Sequence, residues 1–337
     1  MKRWWRTRTP RERRDIVVVS VILVPVVAVS LVIGAIGLSR LPALLDPPTQ
    51  EAAQPVPSRQ TLYSDPALQA AAAARTDPRF DVLARTPQAK WFTDWSTVDT
   101  AFDDVSRYVS AARGMDAVPV VVLYRIPGRD CGAWAAGGAA DDAEYRAWID
   151  EVARALGAVG DGDTLVVVEP DALPQIDKCP QGDRTALLRD AVERIAASGV
   201  RVYVDAGHSN WVPVEEMAER LLRVGVADAQ GFSLNVSNFQ RTDDEIAYAT
   251  QLRATLRDAG VPDAHYIIDT GRNGAGPQGD ERCNPPGARL GAEPELFEGT
   301  ALDGYLWIKN PGETDGACRG GPSAGFWAPA ALSLLGL

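Results

Sequence analysis

Leu165-Val166-Val167-Val168-Glu169-Pro170-Asp171 sets four consecutive aliphatic residues against a proline flanked by two carboxylates. An unbroken apolar run suits a strand buried on both faces, as in a parallel sheet covered by helices; alternation is needed only where one face meets water. Pro170 has no N–H for the ladder, so the strand must end there, leaving Asp171 at its carboxyl-terminal mouth. In α/β folds that mouth is where ligands bind. A carboxyl group at the edge of an apolar core has its pKa raised, which suits a general acid. The same residue would also serve as a turn aspartate capping a following helix.

Similar runs recur on both sides of this strand. Strands are predicted near 89–92, 118–124, 164–168, 201–204, 229–234, 265–268 and 304–308. Helical patterns fall at 143–156, 184–197, 214–224 and 244–259, each closing near a glycine (Gly157, Gly199, Gly225, Gly260). An alanine-rich helix, 67–74, leads into the domain. This alternation predicts an α/β fold: a distorted, TIM-like parallel barrel of about seven strands. Asp94, Tyr124, Asp171, Asp205, Asn235, Asp269 and Lys309 each end or follow a predicted strand. In a barrel those ends form one ring, so these residues are expected to converge on one cleft.

Residues 16–38 are almost wholly aliphatic and uncharged. At about 1.5 Å per residue they can cross a hydrocarbon core of roughly 30 Å. Lys2, Arg3, Arg6, Arg8, Arg11, Arg13 and Arg14 precede the run. The positive-inside rule then puts the segment 1–15 in the cytoplasm and the rest outside the cell membrane. A cleaved signal peptide would export the chain as well, as a secreted protein, but its apolar core would be shorter, about 15 residues at most. The Pro-rich stretch 39–60 is a linker, and 61–337 is the expected catalytic domain.

The net charge is −11, and the first fifteen residues carry seven basic and two acidic side chains, so the remainder stands at −16. A nucleic-acid partner is excluded on that balance. Cys131, Cys179, Cys283 and Cys318 all follow the apolar run. An even count in an oxidising compartment reads as two disulfides, with three pairings open. No close Cys spacing and only two histidines argue against a zinc site, and no cofactor is expected.

Tyr124-Arg125-Ile126-Pro127-Gly128-Arg129-Asp130-Cys131-Gly132 runs from the second strand into a loop rich in glycine and alanine. Together with Glu169-Pro170-Asp171 it resembles glycoside hydrolase family 6, the inverting β-1,4-glucanases, in a membrane-anchored, actinobacterial type of member. Three further segments agree: Tyr203-Val204-Asp205-Ala206-Gly207-His208 with Trp211, Leu234-Asn235-Val236-Ser237-Asn238, and Trp307-Ile308-Lys309 through Glu313 to Asp315. The resemblance covers roughly residues 85–330.

It implies that Asp171 donates the proton to the glycosidic oxygen and that Asp130 beside it keeps Asp171 protonated. Without the resemblance, Asp130 reads as a loop carboxylate paired to Arg129. Tyr124 matches a tyrosine beneath the sugar at the cleavage point, and Asp315 the candidate base. An inverting pair stands about 6.5–9.5 Å apart to admit water. Lys309, Glu313, His208 and Asn235 match residues that bind sugar hydroxyls. Trp211 matches a stacking platform, and Trp91 or Trp95 could be another, whereas Trp148 and Trp327 read as packing. The implied disulfides are Cys131–Cys179 and Cys283–Cys318, each pinning a loop that carries a catalytic aspartate.

Two positions depart from the pattern. Arg282 stands where the family usually carries a tryptophan before the third cysteine, and Ala133-Trp134-Ala135-Ala136 lacks a serine that helps place water. Both changes point away from crystalline cellulose, and a membrane tether suits soluble β-glucan or envelope material. They also leave open a binding protein on the same scaffold without turnover. A short chain with modest loops suggests an open cleft and endo action. A monomer is expected.

Overall fold

The computed structural model describes residues 55–132, 135–179 and 182–337. The basic segment 1–15, the apolar run 16–38 and most of the 39–60 stretch lie outside the described residues, as do Ala133 and Trp134. Among the described residues no helix is long and apolar enough to cross a membrane.

The described strands are β1 (Val56–Pro57), β2 (Thr61–Leu62), β3 (Lys90–Phe92), β4 (Ala117–Val118), β5 (Val120–Leu123), β6 (Leu165–Val168), β7 (Arg201–Asp205), β8 (Gly231–Leu234), β9 (His265–Asp269), β10 (Glu295–Glu298) and β11 (Leu302–Leu306). Nine form one sheet in the order β1-β10-β11-β9-β8-β7-β6-β5-β3. From β3, at one edge, to β11, seven strands are parallel and stand in chain order. Helices 101–113, 142–159, 184–196, 214–223 and 242–258 bridge successive parallel strands up to β9. The crossover from β9 to β11 has no helix and is made by a long loop and the antiparallel β10.

The β6 run is buried throughout, and its side chains divide between two cores. Leu165 and Val167 join Val120, Val122, Tyr203, Ile267 and Leu306 on the inner face, while Val166 and Val168 pack under the helices with Leu123, Val202 and Ile268. Burying each such side chain contributes roughly 1.5–3 kcal/mol, which is why polar residues are absent until Glu169.

The sheet curls without a ladder joining its first and last parallel strands. Instead Ala89 N donates to Trp307 O at 3.0 Å, the Trp91 indole N–H donates to Ile308 O at 2.7 Å, and the Asn310 amide donates to Ala89 O at 3.0 Å. The expected barrel is therefore a curled sheet whose seam is closed by separate hydrogen bonds.

The pattern of alternation did not reveal helix 101–113, helix 328–335 or β10. The first of these buries Ala101, Val105, Tyr108, Val109 and Ala112, a helical spacing diluted by the aspartates and serines between them. Gly157 lies inside helix 142–159, which ends instead at Gly160. The end of the Pro-rich stretch is structured: Val56 and Pro57 pair with Glu298 and Phe297 at the sheet edge.

Candidate active site

All seven polar residues of the expected ring stand at the carboxyl ends of parallel strands: Asp94 after β3, Tyr124 after β5, Asp171 after β6, Asp205 ending β7, Asn235 after β8, Asp269 ending β9 and Lys309 after β11. They fall into two clusters with different partners.

The first surrounds Asp171. Glu169 and Asp171 both have positive φ, 48° and 67°, a left-handed conformation that costs non-glycine residues about 1–3 kcal/mol each. Buried bonds hold the turn. The Glu169 carboxylate accepts the N–H groups of Arg125 and Ile126 at 3.0 Å. The Asp171 N–H donates to Asp205 Oδ2 at 2.9 Å, and Asp205 also accepts from Gly207 N and the Ser233 hydroxyl. Burial lifts the Asp171 carboxyl well above the usual carboxylate range, and the neighbouring Asp205 and Asp130 lift it further, against an opposing pull from Arg282. Asp205 is pushed up to about 7, chiefly by burial. Asp171 is not a helix cap: a turn follows it, closed by Gln175 N to Asp171 O at 3.1 Å.

Asp130 accepts the Tyr124 hydroxyl at 3.0 Å and Ala135 N at 2.9 Å. Its expected alternative partner, Arg129, turns away to bind Asp94 at 3.1 Å and Tyr124 O at 2.7 Å, with its guanidinium 4.5 Å from the Tyr124 ring. Trp91 meets Tyr124 edge to face at 5.2 Å. Trp95 is half exposed and packs against Phe92 and under Lys90, the β3 residues that alternate with Trp91. Trp91 is thus the tryptophan that reaches Tyr124.

His208 is fully buried; its Nδ1 accepts from Asn210 N at 3.2 Å and its Nε2 meets no partner among the described residues. Burial drops its pKa to about 4, and Arg282 adds to the effect, so the ring is neutral with its proton on Nε2. Trp211 lies beside it with ring centroids 5.3 Å apart. Gly207, at φ 70°, permits this packing, since a Cβ there would stand 3.0 Å from Trp211 Cε3 and 2.9 Å from Pro174 Cγ. Asn235 does not fit the expected role in sugar binding. It is fully buried and its amide is spent on Gln240 N, Gln240 O and Asp269 O, so it shapes the loop.

The second cluster surrounds Asp315. Its Oδ1 binds Arg272 at 2.7 Å and its Oδ2 accepts Asn284 N at 2.9 Å. Lys309 donates to Thr314 O at 3.3 Å; burial lowers its pKa, and Glu313 and Asp315 oppose that. Burial raises the Glu313 carboxyl against the pull of Lys309, Lys90 and Arg272. Asp269 braces this side, accepting Gly271 N, Ser237 N and Lys309 N. A cavity of about 350 Å³ borders Asp315 and Glu313, with Arg272, Phe239 and Trp327 in its wall. Trp327, expected as packing alone, therefore faces open space. Trp148 is fully buried, as expected. Asp171, Asp130 and Tyr124 do not line this cavity, and among the described residues no hydrogen bond or ion pair joins Asp171 to Asp315.

Cys131 is bonded to Cys179 and Cys283 to Cys318, with Cα separations of 5.0 and 6.3 Å. The first ties the Asp130 loop to the segment after Asp171, and the second ties the strand-linking loop to the Asp315 loop. Arg272 and Asn284, the partners of Asp315, carried no sequence signal of their own.

The family model of the glycosyl hydrolases, family 6, matches residues 53–335. Endoglucanase A of Cellulomonas fimi is 42% identical over 272 residues, 79% of this chain and 58% of the relative. Endoglucanase 1 of Streptomyces halstedii is 37% identical over 298 residues, 84% of this chain and 90% of the relative. The chain spans 58% of the length of Endoglucanase A from both Cellulomonas fimi and Thermobispora bispora. Among solved structures, the endoglucanase Cel6 from Mycobacterium tuberculosis, in complex with methyl-cellobiosyl-4-deoxy-4-thio-β-D-cellobioside, superposes with a TM-score of 0.75 at 44% identity. That match covers 82% of this chain and 96% of the other.

Proposed function

This chain belongs to glycosyl hydrolase family 6, and on that premise we propose that it cleaves β-1,4-glucosidic bonds of a glucan with inversion, using Asp171 as general acid. The observation that carries this reading is the raised Asp171 carboxyl at the mouth of β6, held by Asp205 and close to Asp130. A carboxyl that holds its proton above the usual carboxylate range is what departure of a glycosidic oxygen requires.

In this mechanism Asp171 protonates the leaving oxygen while Tyr124, set by Asp130 and Trp91, supports the distorted ring. Asp315 is the candidate base: each of its oxygens holds one protein donor and keeps a lone pair for water. Trp211 suits a pyranose face, and the neutral, fully buried His208 would support that ring, with an Nε2–H that meets no partner among the described residues and has no open path to a sugar hydroxyl. Lys309 and Glu313 would bind hydroxyls on the Asp315 side.

The proposal extends to location: an exported domain tethered by 16–38, with the N-terminus in the cytoplasm, acting as a monomer on soluble glucan in an endo mode. The two disulfides support an oxidising compartment. The deciding experiment is product analysis on barley β-glucan and carboxymethylcellulose, with NMR of the newly formed anomer. An α-anomer confirms inversion; binding without reducing-end release would instead favour a binding protein on this scaffold.

A further inference from the structure

Arg282 stands out of a rigid segment. The next residue, Cys283, is bonded to Cys318, and Asn284 donates its N–H to Asp315 at 2.9 Å. The preceding residue, Glu281, is paired with Arg319 and bridged to Gln278. The backbone on both sides is thus fixed to the Asp315 loop, while the Arg282 side chain is exposed. Among the described residues its guanidinium meets no carboxylate and donates no hydrogen bond, although its neighbours in the segment are all engaged.

Its charge is felt at both Asp171 and His208, opposing the proton on the first and disfavouring a second proton on the other. A cation there works against a general acid. The hydroxyls of a neutral glucan accept from the guanidinium but leave its charge uncompensated, whereas a planar carboxylate would take two of its forked N–H donors and offset its field at Asp171. The chain beyond the basic N-terminal segment carries a net −16, so the attraction is local, suited to single charges rather than to a dense polyanion.

We infer that Arg282 is a specificity-determining residue that pairs with a carboxylate on a sugar ring near the bond cleaved, so that the preferred substrate is a β-1,4-glucan bearing uronate groups. This rests on the hydrolytic reading above and narrows its substrate class.

The test compares kcat/KM on neutral cello-oligosaccharides with that on cello-oligosaccharides carrying one glucuronate at a defined ring. It uses the 337-residue chain and its Arg282→Ala, Arg282→Gln and Arg282→Lys variants. The native chain should favour the ligand with the correctly placed glucuronate by about tenfold or more, the scale of one charge-assisted pair. Salt should reduce that preference, Ala and Gln should bring the ratio near one, and Lys should keep part of it. A native preference for the neutral sugar, or a ratio unchanged in Arg282→Ala, overturns the inference. Should no oligosaccharide turn over, the hydrolytic reading fails, and calorimetry with the same two ligands still decides Arg282. Tighter glucuronate binding lost in Arg282→Ala upholds the pairing; equal affinities refute it.

Discussion

The main-chain N–H of Asp171 donates to Asp205 Oδ2 at 2.9 Å, so the strand ending at Asp205 seats the backbone of the proposed acid. The same contact sets the acid's charge environment, because Asp205 is the like charge that raises it most, ahead of Asp130. Positioning and proton retention are therefore one design at this site.

Replacing Asp171 by Asn keeps the shape and removes the proton. Hydrolysis should fall by about 10²–10⁴, the range for a lost general acid, while binding of a cello-oligosaccharide by calorimetry stays within a few fold. Near-native turnover in this variant rules out Asp171 as the acid.

Asp205→Ala removes a like charge that raises Asp171. A general acid works only when protonated, so activity is lost as pH rises through its pKa. Lowering that pKa moves the alkaline limb of the kcat/KM profile to lower pH. A profile with an unmoved alkaline limb would show that Asp205 acts only through geometry.

Arg272 and Asp315 form a buried pair, with side chains 5% and 13% exposed. Arg272→Met leaves the carboxylate unpaired and should destabilise the domain by about 3 kcal/mol, read from urea unfolding. Arg272→Lys should recover part of that loss.

Glu169, Asp205 and Glu245 are each raised to about 7, with burial as the leading cause. In the unfolded chain they release their protons near pH 4, so between about pH 4 and 7 the folded state holds more protons. Stability contributed by these groups therefore falls as pH rises through that window. The melting temperature should be higher at pH 5 than at pH 8. The opposite order would mean that the backbone donors around these carboxylates outweigh desolvation.

Cys283→Ala with Cys318→Ala opens a loop of 35 residues. The chain-entropy account gives a loss of about 4 kcal/mol, and kcat should drop as the Asp315 loop loosens. Unchanged kcat in the folded variant would separate the crosslink from catalysis.

The order of the parallel strands and the positions of the seven ring residues could be read from the sequence, because β6 and its neighbours are apolar on both faces and end at polar residues. The long crossover after β9 could not, since Arg272 and Asn284 act through contacts distant in sequence and sit in no periodic pattern. Asn235 and Trp95 show the converse limit. Each stands near a strand mouth, yet one exhausts its amide on the backbone and the other packs against Phe92 rather than Tyr124. Position at a mouth says which end of the sheet a residue occupies, not which way its side chain turns.

The seam between β3 and β11 gives the molecule a clasp. Because Trp91 fastens it to Ile308 while its ring abuts Tyr124, the fastener and the floor of the proposed cleavage point are the same aromatic pair. Spreading the sheet at that line would break individual bonds instead of unzipping a ladder, and it would move the ring that abuts Tyr124.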